Sequence, residues 1–355
     1  MRILGLMSGT SLDGLDIAYC DIRDDGFELL AAETYPYPAD VAQCLARLER
    51  ASAYEYALMD VELGHLFGQM VNEFRTAHPG PVEAIASHGH TIFHQPQLGL
   101  TTQIGDGDAI AAETGLPVIW RFRNLDVALG GQGAPLVPIG DRLLFGQYDA
   151  CLNLGGIANV SYEREALSDT AATEREAFDI CPCNMALNRL ARRLGKDYDK
   201  SGLLARGGTL DEALLERMDA LDYYRLPLPK SLGKEWFVKQ FAPLLDERRD
   251  PRVLLRTTVE HIARQIANAS KGHGINTMLI TGGGAKNRFL TARIQTLLPG
   301  CKIIVPRADI IDYKEAVIFA LLGYLRLQGR SNCLSSVTGA RRDNCGGNIA
   351  GGISN

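Results

Sequence analysis

The feature that most constrains this chain is a pattern that occurs twice: an apolar run, a short turn of glycine and small polar residues, and a second apolar run. Residues 2–7 and 15–22 flank Ser8-Gly9-Thr10-Ser11-Leu12-Asp13-Gly14. Residues 150–154 and 157–162 flank Gly155-Gly156. Each unit of this kind predicts an antiparallel hairpin closed by a glycine turn. One at the start of each half predicts two domains built on one plan. The chain has 355 residues, beyond the roughly 250–300 at which single cores stop growing, so we divide it into 1–140 and 141–355. Between and after the hairpins, short apolar strands alternate with amphipathic helices. Residues 54–78 carry Leu63, Leu66, Phe67, Met70, Val71 and Phe74 at helical spacing. Residues 277–281 form a strand that runs into Gly282-Gly283-Gly284 and then a helix. The alternation predicts an α/β fold, and two similar domains place a ligand between them.

Composition narrows the partners. The formal charge is −5, with 37 Lys+Arg against 42 Asp+Glu, which offers no footprint for nucleic acid or an anionic membrane. No apolar run reaches the roughly 20 residues a membrane span needs, and 316–325 reads as a buried helix. The polar Ser8 and acidic Asp13 come too early for a signal peptide. The eight cysteines therefore read as the thiols of a cytoplasmic protein.

Three glycine-rich turns carry the chemistry. In Gly9-Thr10-Ser11-Leu12-Asp13-Gly14 the glycines let the backbone approach a phosphate, and successive N–H groups with two hydroxyls can surround its oxygens. Asp13 and Asp16 add carboxylates able to hold Mg²⁺ through water. The same residues also fit a plain hairpin turn. Gly155-Gly156, at the matching point of the second half, favours the phosphate reading, and Gly282-Gly283-Gly284 suits close approach of an adenosine. There is no Walker A sequence and no Gly-x-Ser-x-Gly elbow. His88, His90 and His94 have a spacing open to Zn²⁺, and Cys181-Pro182-Cys183 precedes a predicted helix N-terminus, where thiolate is favoured.

Met7-Ser8-Gly9-Thr10-Ser11-Leu12-Asp13-Gly14-Leu15-Asp16 closely resembles the signature of the anhydro-N-acetylmuramic acid kinases, of the actin, sugar-kinase and chaperone-ATPase superfamily. The resemblance continues in order through Ser87-His88-Gly89, Gln103-Ile104-Gly105-Asp106, Gly130-Gly131-Gln132-Gly133-Ala134-Pro135-Leu136, Asn153-Leu154-Gly155-Gly156-Ile157-Ala158-Asn159 and Phe178-Asp179. It ends with Pro229-Lys230-Ser231, Gly282-Gly283-Gly284-Ala285 and Ser336-Val337-Thr338-Gly339.

The resemblance implies two actin-like (ribonuclease H-like) domains with a nucleotide cleft between them. It implies ATP and Mg²⁺ as cofactors, an anhydro-sugar as substrate and a homodimer. Gly9, Thr10, Ser11, Leu12, Asp13, Gly14, Leu15, Asp16, Gly155, Gly156, Gly282, Gly283 and Gly284 would bind ATP. Mg²⁺ would be held through ATP and water, with Asp13 or Asp16 as candidates and no dedicated metal site. Arg123 and Glu315 would bind the sugar. Asp179 would take the proton of a water that opens the 1,6-anhydro ring while O6 receives the γ-phosphoryl group. Read from the residues alone, Asp179 is instead a cap of the helix near Asn184. The chain departs from the family pattern at Cys181 and Cys183, which stand where glycines are usual. It departs also at His90, where Gln is common, and at Arg121 and Asn124. Added β-carbons at 181 and 183 predict a reshaped sugar pocket. That leaves another anhydro-sugar such as levoglucosan, or a non-catalytic nucleotide-binding regulator, as alternatives.

Overall fold

The computed structural model describes residues 1–9, 12–164, 174–228 and 230–352. The chain forms two compact units, one of residues 1–144 with 313–355 and one of residues 145–312. Both contain the same sheet. In the first, β1 (Arg2–Ser8), β2 (Gly14–Arg23) and β3 (Gly26–Pro36) form an antiparallel meander. Strand β4 (Ala84–Gln95) lies parallel to β1, β5 (Leu100–Ile104) antiparallel to the far end of β4, and β6 (Val118–Trp120) parallel to β4. In the second unit β7 (Ala150–Leu154), β8 (Ile157–Arg164) and β9 (Glu174–Pro182) repeat the meander. There β10 (Thr277–Thr281) runs parallel to β7, and β11 (Lys302–Ile304) parallel to β10. The shared order is third strand, second, first, then two parallel strands; the two hairpins anticipate the repeated plan, and the resemblance implies its ribonuclease H-like form.

Residues 313–355 belong with the first unit, whereas the expected division at 140 assigned them to the second. Two contacts explain this. Gly5 of β1 lies so close to the helix Ala308–Leu327 that a β-carbon there would sit 1.9 Å from the Ala316 carbonyl oxygen. Gly323 of the same helix meets Ala86 of β4, with a β-carbon placed 2.6 Å from that side chain. The helix is buried from Ala316 to Leu325, as its unbroken apolar run predicts. After it, β12 (Asn348–Ala350) pairs antiparallel with β6. Residues 348–350, within a glycine-rich stretch, thus form an edge strand, ordered by its partner and not by its own periodicity.

Other elements follow local rules. The helix Ala53–Ala77 opens on a capping box of Ser52 and Glu55 and buries Leu63, Phe67, Val71 and Phe74 on one face. The helix Glu212–Asp219 is capped by Asp211, whose carboxylate accepts from the Leu214 N–H. The second core is built on Leu152, Leu154, Val160 and the buried face of the helix Pro251–Ser270. Among the described residues, no helix is long and apolar enough to cross a membrane.

Gly5→Ala should destabilise the protein by about 1–3 kcal/mol, since neither the strand nor the helix backbone can retreat. Thermal unfolding will show the loss, whereas Gly300→Ala, with open space around its β-carbon, should change stability by under about 0.5 kcal/mol.

Candidate active site

Asp179 lies near the end of β9, beside an irregularity in the ladder. Ala158 pairs with Cys181, but the next residue, Asn159, pairs with Asp179, so Ile180 is an extra residue in β9. Such a bulge re-aims side chains: Phe178 and Ile180 stay buried while Asp179 retains partial exposure. The segment after residue 229 clasps this strand end. The Leu232 N–H donates to Asp179 Oδ2 at 2.8 Å, and the Asp179 N–H donates to the Lys230 carbonyl at 3.3 Å. The Tyr223 hydroxyl donates to the Asp179 carbonyl at 2.6 Å. Burial raises the Asp179 carboxyl above its ordinary value, opposed by the Leu232 hydrogen bond alone. The alternative of a helix cap does not hold: Cys183 occupies the N-cap of the helix Asn184–Arg192, and the Asp179 carboxylate is engaged elsewhere.

The two cysteines alter this neighbourhood less than their β-carbons suggest. Neither uses a left-handed backbone; Cys183 has φ −122°. Both are fully buried in the core of the second unit. Burial raises the Cys181 thiol well above its usual range and pushes Cys183 up to about 12, which favours inert core thiols over reactive thiolates.

The second glycine turn docks onto the same helix. Gly155 and Gly156 offer their carbonyls to the N–H groups of Asn184 (3.0 Å), Cys183 (2.8 Å) and Met185 (3.1 Å). In a trans peptide the carbonyl and the next N–H point in opposite directions. The N–H groups of Gly156 and Ile157 therefore point away from the helix, able to meet an anion. The third turn is specified residue by residue. Gly282 has φ +76°, a conformation that favours glycine, and Gly284 packs so closely that a β-carbon would lie 2.7 Å from that of Leu154. Gly283 has only ordinary contact around it and, with Gly284, Asn188, Tyr198 and Asn287, lines a cavity of about 360 Å³.

In the first unit the chain is described on both sides of Thr10 and Ser11, which lie outside the described residues. Leu12 adopts φ +61°, strain of a kind that clusters in functional loops. A β-carbon on Gly14 would lie 2.3 Å from the Tyr35 carbonyl oxygen, so only glycine fits. Asp13 is exposed, and Asp16 accepts the Thr34 hydroxyl at 2.6 Å. Among the described residues no group of three metal-binding side chains exists, which leaves the histidine run without support as a zinc centre. Mg²⁺ is commonly held by one or two carboxylates plus phosphates and water, and the Asp13/Asp16 pair fits that pattern.

Arg123 is locked in place. Its Nε and Nη2 donate to His88 Nε2 at 3.2 and 2.9 Å, and Nη1 donates to the Gly133 carbonyl at 2.7 Å. Since guanidinium only donates, Nε2 carries the imidazole lone pair; burial and the Arg123 charge both keep His88 neutral. Glu315 remains accessible to solvent, yet surrounding protein raises its pKa against the attraction of Arg123 and Lys314. The loop next to Arg123 is tied down by Asp126, which is fully buried. Its carboxylate accepts from the Gly133 N–H and from the side chains of Cys333, Thr338 and Asn344. His90 Nδ1 pairs with the Ser8 hydroxyl at 2.9 Å, and Tyr37 donates to the same oxygen. Burial lowers the His90 pKa to about 4, so it is a neutral partner of the first glycine loop.

Sequence reasoning did not single out Tyr223, Leu232, Tyr198 or Asp126. Leu232 acts through its backbone, which no side chain advertises. Tyr223 and Tyr198 sit in segments without periodic pattern.

The raised Asp179 pKa has a consequence for stability. The native state binds this proton more tightly than the unfolded chain, so the carboxylate costs stability increasingly as pH climbs from the ordinary 3.8 through the raised value. Asp179→Asn should therefore unfold at a higher temperature than the unaltered protein at pH 7, a gap that closes below pH 3.8. Calorimetric scans across pH check this.

The model of the family described as anhydro-N-acetylmuramic acid kinase matches residues 1–351. The relative of that name from Vibrio cholerae is 37% identical over 362 residues, covering 96% of this chain and 95% of its own. The one from Sulfurovum sp. is 36% identical over 357 residues, covering 96% and 97%. Among solved structures, a ROK family glucokinase from Streptomyces griseus with glucose and AMPPNP aligns over 91% of this chain and 99% of that one, at 13% identity and TM-score 0.40. Matched from end to end at these identities, the chain belongs to the anhydro-N-acetylmuramic acid kinase family.

Proposed function

We propose that this chain converts 1,6-anhydro-N-acetylmuramic acid, ATP and water to N-acetylmuramic acid 6-phosphate and ADP, a step in the recycling of cell-wall peptidoglycan. The observation that carries the reading is Asp179: a partly exposed carboxylate, pushed toward proton affinity by burial and steadied by one backbone N–H. O6 of the substrate is an ether oxygen without a proton, so an ordinary hydroxyl-deprotonating base has nothing to remove. Water must instead attack C1. Its proton passes to the Asp179 carboxylate, the C1–O6 bond breaks, and O6 takes the γ-phosphoryl group as ADP leaves. A base with raised pKa is suited to accept that proton.

Arg123 and Glu315 would hold the sugar, the former in one orientation through His88 and Gly133. The candidate phosphate-binding turns are residues 9–16 and, taken separately, Gly155-Gly156, whose outward N–H groups suit phosphate oxygens. The adenosine would enter the cavity beside Gly283, with Tyr198 offering a ring for stacking. Mg²⁺ near Asp13 or Asp16 would neutralise charge on the phosphates. The alternatives of another anhydro-sugar or a silent regulator drew on the Cys181/Cys183 departure. Both thiols lie in the core, which weighs against their lining the sugar pocket, while the departures at His90, Arg121 and Asn124 keep another anhydro-sugar as the second reading.

Asp179→Asn should lower kcat by about 10²–10⁴-fold while ATP affinity holds. In the unaltered enzyme kcat/KM should fall on acidification through a pKa above the ordinary carboxylate range, because the base must be unprotonated. Steady-state ADP release with the variant, and its pH profile in the unaltered enzyme, test both; near-normal turnover by Asp179→Asn removes it from the mechanism. Gly283→Val should fold normally yet raise the KM for ATP several-fold by filling the cavity, as a nucleotide titration would show.

A further inference from the structure

Lys230 has no part in the chemistry described above, and its surroundings are incomplete. Its ammonium donates to the Tyr223 carbonyl at 3.3 Å. It lies 4.7 Å from the centroid of the Tyr223 ring and 6.0 Å from that of Phe178. Partial burial between these groups lowers its pKa, and no charged neighbour offsets that. Among the described residues no carboxylate forms an ion pair with it. Asp179 is joined to Lys230 through the backbone, and the Asp179 carboxyl is raised and not lowered. An ammonium in contact with it would have had the reverse effect. The clasp therefore carries a carboxylate and a cation on residues joined by one backbone hydrogen bond, with no ion pair between their side chains among the described residues.

A partly desolvated cation without a counter-charge is unfavourable until an anion arrives. The substrate of the preceding section supplies one: the carboxylate of the lactyl ether, borne on a different ring carbon from the C1 that water attacks. A wall that serves both must hold a base for the water and, apart from it, a cation for the carboxylate. Resting on that reading of Asp179, we infer that Lys230 receives the carboxylate of the muramic sugar. It thereby makes the site selective for acidic over neutral anhydro-sugars. The aromatic faces of Tyr223 and Phe178 hold the side chain in place through cation–π attraction.

Equilibrium binding tests this without turnover. The probes are 1,6-anhydro-N-acetylmuramic acid, 1,6-anhydro-N-acetylglucosamine (the same ring without the lactyl group) and a non-hydrolysable ATP analogue. Each is titrated into the unaltered protein, Lys230→Met and Lys230→Arg. The unaltered protein should prefer the acidic sugar by about 10- to 100-fold, the scale of one charge-assisted hydrogen bond. Lys230→Met should bring that ratio near one, and Lys230→Arg should keep most of it. A ratio near one in the unaltered protein overturns the inference. So does a ratio unmoved by Lys230→Met, or a loss of ATP-analogue affinity in its place. If the binding ratios behave as expected but the acidic sugar elicits no ADP, the proposed reaction fails while the role of Lys230 stands.

Discussion

A carboxylate that accepts a proton during turnover needs two opposed influences. Its surroundings must disfavour charge, or it would be too weak a base, and something must still hold it ionised and aimed. At Asp179, the base proposed above, burial supplies the first and the Leu232 N–H the second. Several features of the second unit serve this balance. The extra residue Ile180 turns the strand end outward, and the Tyr223 hydroxyl fixes the Asp179 carbonyl. The segment from Lys230 to Leu232 closes over the top. An ion pair in place of the single N–H would have lowered the carboxyl pKa and made Asp179 a weaker proton acceptor.

The first unit solves a different problem, that of holding an arginine still. Guanidinium on a flexible stem loses conformational freedom when it binds, and prior ordering removes that cost. Arg123 is ordered by His88 and Gly133, and the loop that carries Gly133 by the buried Asp126. Asp126 draws on Cys333, Thr338 and Asn344, all from the C-terminal stretch. That stretch is held in turn by the close approach of Gly5 to the helix Ala308–Leu327. The last segment of the chain thus completes the sheet edge through β12 and orders a residue more than two hundred positions earlier.

How much of this is legible in the sequence depends on range. The hairpins at 2–22 and 150–162 show in the apolar pattern because their strands are buried on both sides of a glycine turn. β3 does not show: its burial is irregular, with Leu29 and Tyr35 buried among exposed neighbours. The tail strand at 348–350 does not show because pairing, and not side-chain periodicity, makes it a strand. The glycines at 282 and 284 are visible as a run, but only the structure separates their reasons, a positive φ at one and a packed neighbour at the other. Asp179 is visible only through the family motif, since its surroundings come from segments over forty residues away. The cysteines mislead for the same reason: their departure from glycine is plain in the sequence, whereas their burial in the core is not.

In the proposed mechanism ring opening and phosphoryl transfer are one reaction, with water and not a sugar hydroxyl as the deprotonated species. Its most direct test is ADP release from Mg·ATP by the unaltered protein. It should be run in parallel on 1,6-anhydro-N-acetylmuramic acid, levoglucosan and N-acetylmuramic acid, which has O6 already free. The account predicts ADP release with the first sugar, in step with the appearance of a reducing sugar, and little with the free-hydroxyl sugar. ADP release driven by N-acetylmuramic acid, or none from the anhydro-muramic sugar while ATP still binds, would contradict it.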